Sequence, residues 1–192
     1  RAQDGNDHGG KVLRLRDDGS VPPDNPFVGK PGFKPEIYSY GHRNPQGLAW
    51  DEQNRLWSTE HGRSGGASGY DELNLIRAGG NYGWPEIQGS ETREGMIPPV
   101  LHSGPTSTWA PASAAYHDGS IFFGGLRGEA LYEAVLPEDD GGPQLHTHFE
   151  GEFGRIRTVV FGPDDAMYLT TSNTDGRGRP VAEDDRIIRI NW

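Results

Sequence analysis

The densest group of polar side chains lies in the segment Gly-His-Arg-Asn-Pro-Gln-Gly at 41–47. Arg43 offers a planar guanidinium group to a carboxylate, and the amides of Asn44 and Gln46 can donate hydrogen bonds to carbonyl oxygens. The segment could therefore hold an anionic ligand. The same composition, with Asn-Pro as a breaker, is also typical of a solvated turn, and the residues alone leave both interpretations open.

A pair of arginines, Arg155 and Arg157, lies at the start of an apolar segment that ends at Phe161. Positions i and i+2 share one face of a β-strand, so the two guanidinium groups should point the same way. Two unpaired like charges would repel each other. The facing pair therefore favours an anionic ligand over an exposed strand whose arginines pair with Asp or Glu.

Two further patterns resemble metal sites but favour simpler interpretations. His146 and His148 could share a strand face, but no third ligand lies near them in the sequence, which favours a solvent-facing pair. The segment Asn-Thr-Asp-Gly at 173–176 is rich in oxygen ligands. It lacks the downstream bidentate Glu of an EF-hand, so a turn is the better interpretation.

The elements that must position these residues are predicted to be β-strands. Three segments share an apolar run with an aromatic residue, a polar turn and a second apolar run, and they lie at 47–58, 113–123 and 158–169. Their starts are 66 and 45 residues apart, and β-propeller blades recur at roughly 40–50 residues. Further strands are predicted at 11–15, 36–40, 72–76, 129–136 and 186–190. The segment 129–136 also contains helix-forming residues, but eight residues between a Gly and a Pro suit a strand equally well. The sequence thus predicts an all-β chain of about four blades, either a small propeller or a portion of a larger one.

The composition narrows the function classes. The 192 residues include 29 Gly and 15 Pro, which argues against a helical bundle. The formal net charge of -10 disfavours nucleic acid or an anionic membrane as the main partner. No apolar stretch approaches the ~20 residues of a membrane span. Because the sequence contains no Cys, disulfides and thiolate metal sites are excluded.

Several motifs occur in the order found in one family. They are the segment 41–47, the Glu-His-Gly turn at 60–62, and the segments 71–76 and 79–85. With these motifs the sequence resembles, over essentially its whole length, the soluble PQQ-dependent aldose sugar dehydrogenases of the glucose/sorbosone dehydrogenase family. Family members are six-bladed β-propellers. The resemblance implies that residues 1–192 form a partial β-propeller domain, roughly the C-terminal half or slightly more, with the N-terminal blades absent.

The resemblance also implies an activity. Family members use PQQ and Ca2+ to oxidise the anomeric carbon of aldoses to lactones, with hydride transfer to the quinone and an external electron acceptor, in the periplasm or outside the cell. In the family, the histidine base lies upstream of the segment that matches the one beginning at Gly10 here. No residue of this sequence, including His8, matches that histidine. The isolated chain is therefore expected to bind part of the cofactor without turnover. A non-catalytic propeller that binds a protein or a glycan is the alternative.

The resemblance assigns the cofactor contacts residue by residue. The positions that match PQQ-contacting residues are Arg43, Asn44, Gln46, His61, Thr108, Arg127, Arg155 and Arg157. PQQ is a tricarboxylate, which would explain why an acidic chain concentrates guanidinium groups in one place.

Two calcium sites are implied in the same way. The backbone carbonyls of Gly62 and Arg63 match the ligands of the cofactor's Ca2+, and the Glu72 carboxylate and Tyr82 carbonyl match a second, structural Ca2+ site. Arg63 stands where the family usually has a proline, and the loop that follows, 64–70, is longer than the common form.

Overall fold

The computed structural model describes residues 1–64, 69–137 and 141–192. The strands in these ranges are β1 Lys11–Leu13, β2 Ile37–Tyr40, β3 Pro45–Trp50, β4 Leu56–Glu60, β5 Glu72–Ile76, β6 Leu101–His102, β7 Pro111–His117, β8 Ser120–Gly125, β9 Leu131–Val135, β10 Gln144–His148, β11 Ile156–Phe161, β12 Met167–Thr171 and β13 Ile187–Ile190. Within the described ranges, no helix has the length and apolar character needed to cross a membrane. The all-β prediction is confirmed.

The strands form four antiparallel sheets, β1-β2, β3-β4-β5-β6, β7-β8-β9-β10 and β11-β12-β13. Strands that are consecutive in the chain are neighbours in each sheet, so the three larger sheets are meanders. Each of these begins with one of the predicted hairpins, β3–β4, β7–β8 and β11–β12. Propeller blades have this topology.

The Asp in the first hairpin turn holds that turn to the core. Asp51 is buried, and its Oδ1 accepts the backbone N–H groups of Gln53 at 3.0 Å and Arg55 at 2.9 Å. Its Oδ2 accepts the indole N–H of Trp57 at 2.9 Å. Asp is favoured in such turns because its side chain reaches backbone donors close by.

Neighbouring sheets pack face to face through apolar side chains. Trp57, Leu73 and Ile121 lie between the sheet that starts at β3 and the sheet that starts at β7. Phe122 and Met167 lie between that second sheet and the sheet of β11 to β13. Because β3 lies beside β7, and β7 beside β11, the first strands of the three sheets converge.

Two glycines permit this convergence. A Cβ at Gly47 on β3 would lie 2.3 Å from the backbone nitrogen of Ala114 on β7. A Cβ at Gly124 on β8 would lie 2.5 Å from the carbonyl oxygen of Ile156 at the start of β11. Both distances are far inside van der Waals contact, so a larger residue would push the sheets apart. The sheets of the described residues do not close into a ring, and the six-bladed propeller stays a prediction.

Candidate functional site

Segments at one end of the three larger sheets come together. In an antiparallel hairpin, the start of the first strand and the end of the second strand lie at the same end. Arg43 precedes β3, His61 follows β4, Thr108 precedes β7, Arg127 follows β8 and Arg155 precedes β11. Residues far apart in the sequence are thus placed around one edge of the molecule.

These segments border a cavity of about 380 Å³. The predicted residues that line it are His61, Gly62, Arg63, Thr108, Arg127 and Arg155. Asp71 and Arg177, to which the sequence analysis gave no role, line it as well. The wall therefore carries four guanidinium groups and a single carboxylate, and a cavity lined by one sign of charge concentrates ligands of the opposite sign.

The Asp71 carboxylate on this wall is engaged by backbone donors. Asp71 is buried, and its two oxygens accept the N–H groups of Gly62 and Ala110, each at 2.8 Å. The carboxylate thereby joins the segment after β4 to the segment before β7. Its negative charge is stabilised locally, which leaves the basic character of the wall to the arginines.

The Arg155–Arg157 pair is brought together through a carboxylate. Arg155 is 7% exposed and donates to the carbonyl oxygens of Leu126 at 2.7 Å and Ser172 at 3.1 Å. Its guanidinium also contacts Asp175 at 2.8 Å, and the exposed Arg157 reaches the same carboxylate oxygen at 3.5 Å. The alternative in which the arginines pair with an acidic residue is therefore the one seen. Arg155 still lines the cavity, whereas Arg157 does not.

Arg43, Asn44 and Gln46 lie beside the cavity and not on its wall. The Arg43 guanidinium donates to the His61 carbonyl oxygen at 3.3 Å and to Ser64 Oγ at 2.6 Å. Gln46 is exposed, and its amide donates to Asn44 Oδ1 at 3.0 Å. The four arginines expected at PQQ thus do not share one cavity, although Arg43 contacts His61 and Ser64, which line it.

Glu60, the last residue of β4, holds the 43–44 backbone in place. Its side chain is buried, and Oε1 accepts the N–H groups of Arg43 and Asn44. Oε2 accepts a hydrogen bond from Nδ1 of the buried His42 at 2.9 Å. The sequence analysis gave Glu60 no role. The signal that could have found it is a carboxylate at the end of an apolar strand, because such a group must be paired when buried.

His61 is a fixed wall residue. Its Nε2 donates to the Pro111 carbonyl oxygen at 2.8 Å, and its backbone N–H donates to the Asn44 carbonyl oxygen at 3.2 Å. Burial lowers the pKa of the imidazole, and the Pro111 carbonyl opposes this only in part. The ring is therefore neutral at pH 7.

Glu72 faces Glu60 in the register between β4 and β5. Burial, with the Glu60 carboxylate as the second cause, raises the pKa of Glu72 to about 8. The amide nitrogen of Asn74 lies 3.1 Å from Glu72 Oε2 and 3.4 Å from Glu60 Oε2. Two buried amide oxygens, Asn74 Oδ1 and Gln88 Oε1, have no partner among the described residues.

This donor set fits a hard cation. Glu60, Glu72, Tyr82 and Gln88 line a void of about 10 Å³, which is room for about one water or ion. Carboxylate, amide and carbonyl oxygens are the ligands that Ca2+ takes. In the described part of the chain, no three His, Asp or Glu side chains form a metal-binding group, so amide and backbone oxygens would have to complete the shell.

Backbone oxygens also crowd around Gly62. A Cβ at Gly62 would lie 2.1 Å from the Gly69 carbonyl oxygen and 2.3 Å from that of Tyr70. Only glycine fits this position, and carbonyl oxygens are suitable Ca2+ ligands. The interior of the lengthened loop, residues 65–68, lies outside the described residues.

Among the described residues, neither of the two weaker metal patterns forms a metal-binding group. His146 is exposed, while His148 Nε2 contacts the Glu133 carboxylate at 2.9 Å, so only the first of the pair is solvent-facing. Asn173 is buried and binds the backbone N–H of Arg155 through its side-chain oxygen at 2.8 Å, at the start of a turn. These side chains hold the chain together.

Comparison with known proteins identifies related chains. Residues 1–188 match the model of the Glucose / Sorbosone dehydrogenase family. An aldose sugar dehydrogenase of Escherichia coli is 33% identical over 198 residues, which is 91% of this chain and 51% of the relative.

Two solved structures share both the fold and the sequence. A putative glucose dehydrogenase from Thermus thermophilus has a TM-score of 0.91 and 46% identity, and the match covers 99% of this chain and 58% of that one. The PQQ-bound aldose sugar dehydrogenase of Streptomyces coelicolor has a TM-score of 0.86 and 44% identity, with coverage of 98% and 53%. The chain spans about half the length of these relatives.

Proposed function

Because the chain belongs to the glucose/sorbosone dehydrogenase family, we propose that it is part of a PQQ- and Ca2+-dependent dehydrogenase that oxidises the anomeric carbon of aldoses to lactones. The observation that carries this proposal is the cavity of about 380 Å³ with four arginines on its wall, in a chain whose net charge is -10. A tricarboxylate cofactor accounts for that concentration of positive charge. The solved relative with PQQ bound supports the same cofactor.

The residues of this chain would bind and orient the cofactor. Arg127 and Arg155 offer guanidinium groups to its carboxylates, and the Gly62 and Arg63 carbonyls offer oxygen ligands to Ca2+. Glu60 and Asp71 hold the segments that carry these groups. When bound, PQQ supplies a quinone that accepts a hydride, and Ca2+ polarises it.

The catalytic base is proposed to lie outside residues 1–192. His42 is buried and His61 is half-buried, and both are hydrogen-bonded to other residues, while His8 is paired with Glu36 at 2.6 Å, so none of the three has the setting of a free base. The 192-residue chain alone is therefore proposed to be inactive. An external acceptor would then reoxidise the cofactor, and the protein would act in the periplasm or outside the cell.

One groove supports a larger propeller. Leu48 and Trp50 on β3 are 45% and 58% exposed, and they line an apolar cavity of about 570 Å³ beside β1. The sheet of β1 and β2 has two strands, whereas two of the other sheets have four and one has three. We propose that further blades of the same protein cover this groove. Trp50 fluorescence should then be blue-shifted in the protein made from its complete gene, relative to the 192-residue chain.

One observation favours the alternative of a non-catalytic binding module. Arg155 and Arg157 share the Asp175 carboxylate, so two of the four arginines expected at PQQ are already paired. A binding module needs no cofactor, so arginines that are already paired with Asp175 are compatible with it.

The two functions are separated by one experiment. The protein expressed from its complete natural gene is incubated with PQQ and CaCl2, freed of unbound cofactor, and assayed by dye reduction with a panel of aldoses. We expect bound quinone absorbance and dye reduction that depend on both additions. A protein that retains no quinone and reduces no dye would refute the dehydrogenase and leave the binding module.

A further inference from the structure

Arg177 lies in the turn after β12, within the motif Gly-Arg-Gly at 176–178. No role is assigned to this segment above. In the structure Arg177 lines the same cavity as Arg127 and Arg155. Arg177 is therefore one of four arginines that line this cavity.

The position of Arg177 repeats that of two other residues in the fold. Arg63 follows β4, Arg127 follows β8 and Arg177 follows β12, and each of these strands is the second strand of its sheet. Because the second strands of the three hairpins end at the same edge, the three arginines approach the cavity from three neighbouring sheets. The sheets thus surround the cavity with positive charge.

The turn that carries Arg177 is anchored to Arg155. Asp175 Oδ1 accepts the backbone N–H of Arg177 at 2.9 Å, while Asp175 Oδ2 contacts the Arg155 guanidinium at 2.8 Å. A Cβ at Gly178 would lie 2.8 Å from Arg155 Cδ, so the turn packs directly on that side chain. The backbone of Arg177 is therefore held in place, and its side chain is exposed.

The charges in this corner are distributed unevenly. The single carboxylate of Asp175 offsets one of the two positive charges of Arg155 and Arg157, which share it. The exposed guanidinium of Arg177 makes no hydrogen bond or ion pair with any residue of 1–64, 69–137 or 141–192. Of the arginines at this end of the cavity, Arg177 is the one whose full charge is available to a ligand.

We propose that Arg177 is a cofactor-binding residue, which pairs with a carboxylate group of the anionic cofactor in this cavity. In this arrangement Arg177 supplies a counter-charge in addition to those of Arg127 and Arg155. The inference rests on the proposed function, since it takes PQQ as the occupant. It adds a binding role for the Gly-Arg-Gly motif.

The test compares two substitutions in the same loop. Arg177→Gln removes the charge on the cavity wall. Arg179→Gln removes the same charge two residues further on, where the exposed Arg179 lines a different cavity with Glu129 and Asp184. PQQ affinity is measured in CaCl2 by equilibrium dialysis on the protein from its complete gene, at low and at high NaCl. The melting temperature of each variant shows whether it is folded.

We expect Arg177→Gln to weaken PQQ binding by about tenfold, the loss of one charge-assisted pair. Its affinity should also depend less steeply on salt than that of the parent. Arg179→Gln should bind like the parent, and Arg177→Lys should recover part of the affinity because it restores the charge without the planar fork.

Two results would overturn the inference. One is a folded Arg177→Gln variant that binds PQQ as tightly as the parent, with the same salt dependence. The other is an equal loss in Arg179→Gln, which would indicate a general charge effect. A parent protein that binds no PQQ at all would instead remove the proposed function, and this inference with it.

Discussion

The substitution Glu72→Gln tests the electrostatics of the proposed structural calcium site. In the absence of a cation, burial and the facing Glu60 carboxylate raise the pKa of Glu72 from 4.5 to about 8. The unfolded chain releases this proton above its ordinary pKa, whereas the folded chain keeps it until the pH approaches 8. The folded state is therefore favoured most at low pH, and it loses stability as the pH rises between these two values.

The size of this loss of stability follows from the difference between the pKa values of Glu72 in the unfolded and in the folded chain. At pH 7 the penalty reaches at most about 3 kcal/mol, because each pH unit above the unfolded pKa costs about 1.4 kcal/mol. Glu72 keeps some exposure to water, which reduces this figure, so we expect about 1–3 kcal/mol. Since Gln imitates the protonated carboxyl, Glu72→Gln should stabilise the fold at pH 7 in EDTA and raise Tm by about 3–10 °C.

Calcium should reverse the order of stability, so that the parent becomes more stable than Glu72→Gln. A cation bound by the Glu72 carboxylate removes the penalty in the parent, and Ca2+ at about 100 times its Kd adds about 2.7 kcal/mol. Glu72→Gln lacks the charged ligand and should gain little. In EDTA, the stabilisation by Glu72→Gln should also disappear near pH 4.5, because the Glu72 carboxyl of the folded parent is protonated there.

The assay is thermal unfolding at pH 4.5, 7 and 8, with EDTA or with CaCl2. Glu94→Gln serves as the control, because Glu94 is exposed and the substitution changes the net charge equally. If Ca2+ stabilised Glu72→Gln as much as the parent, or if the substitution destabilised the protein in EDTA at pH 7, the reasoning about this carboxylate pair would be wrong.

Three other predictions concern the fold and the site. Gly47→Ala should destabilise the chain by more than about 2 kcal/mol in urea unfolding, because its Cβ would lie 2.3 Å from the Ala114 nitrogen. The control Gly142→Ala should show no such loss, because a Cβ there meets nothing within 4 Å. Glu60→Ala should lower the free energy of unfolding by about 2–4 kcal/mol, because it leaves buried donors without an acceptor. It should also weaken PQQ binding in dialysis, and a variant that binds PQQ normally would contradict the role given to Glu60. The 192-residue chain with PQQ and Ca2+ should reduce no dye with any aldose that the protein from the complete gene oxidises, and turnover by the short chain would place the base within it.

Local sequence was sufficient for most of the strands. The three hairpins were predictable because apolar alternation and polar turn residues act over a few positions, as Asp51 illustrates in the turn between β3 and β4. The segment 129–136 was ambiguous between strand and helix, and pairing with β8 and β10 decides it. The motifs also named residues that line the cavity, such as His61 and Arg127.

The pairing of the site arginines was not predictable from their spacing. Alternation along β11 predicted two guanidinium groups on one face, but it could not show that Asp175, in the turn after β12, reaches both. In the same way Arg43 contacts His61 and Ser64, which line the cavity, but it does not line the cavity itself. Charge pairing depends on distances of a few ångströms between segments that are remote in the sequence.

The sequence by itself determined the strands, the hairpin turns, the acidic character of the chain and the set of motifs that carry the family resemblance, because these depend on residue type and short-range order. The tertiary structure decided which polar groups are buried, paired or available. It joined the ends of three sheets into one basic cavity, set Glu60 against Glu72, and left the guanidinium group of Arg177 without a partner among the described residues. The physical reason is that the energy of a charge depends on its burial and on its neighbours, and both are properties of the packed sheets.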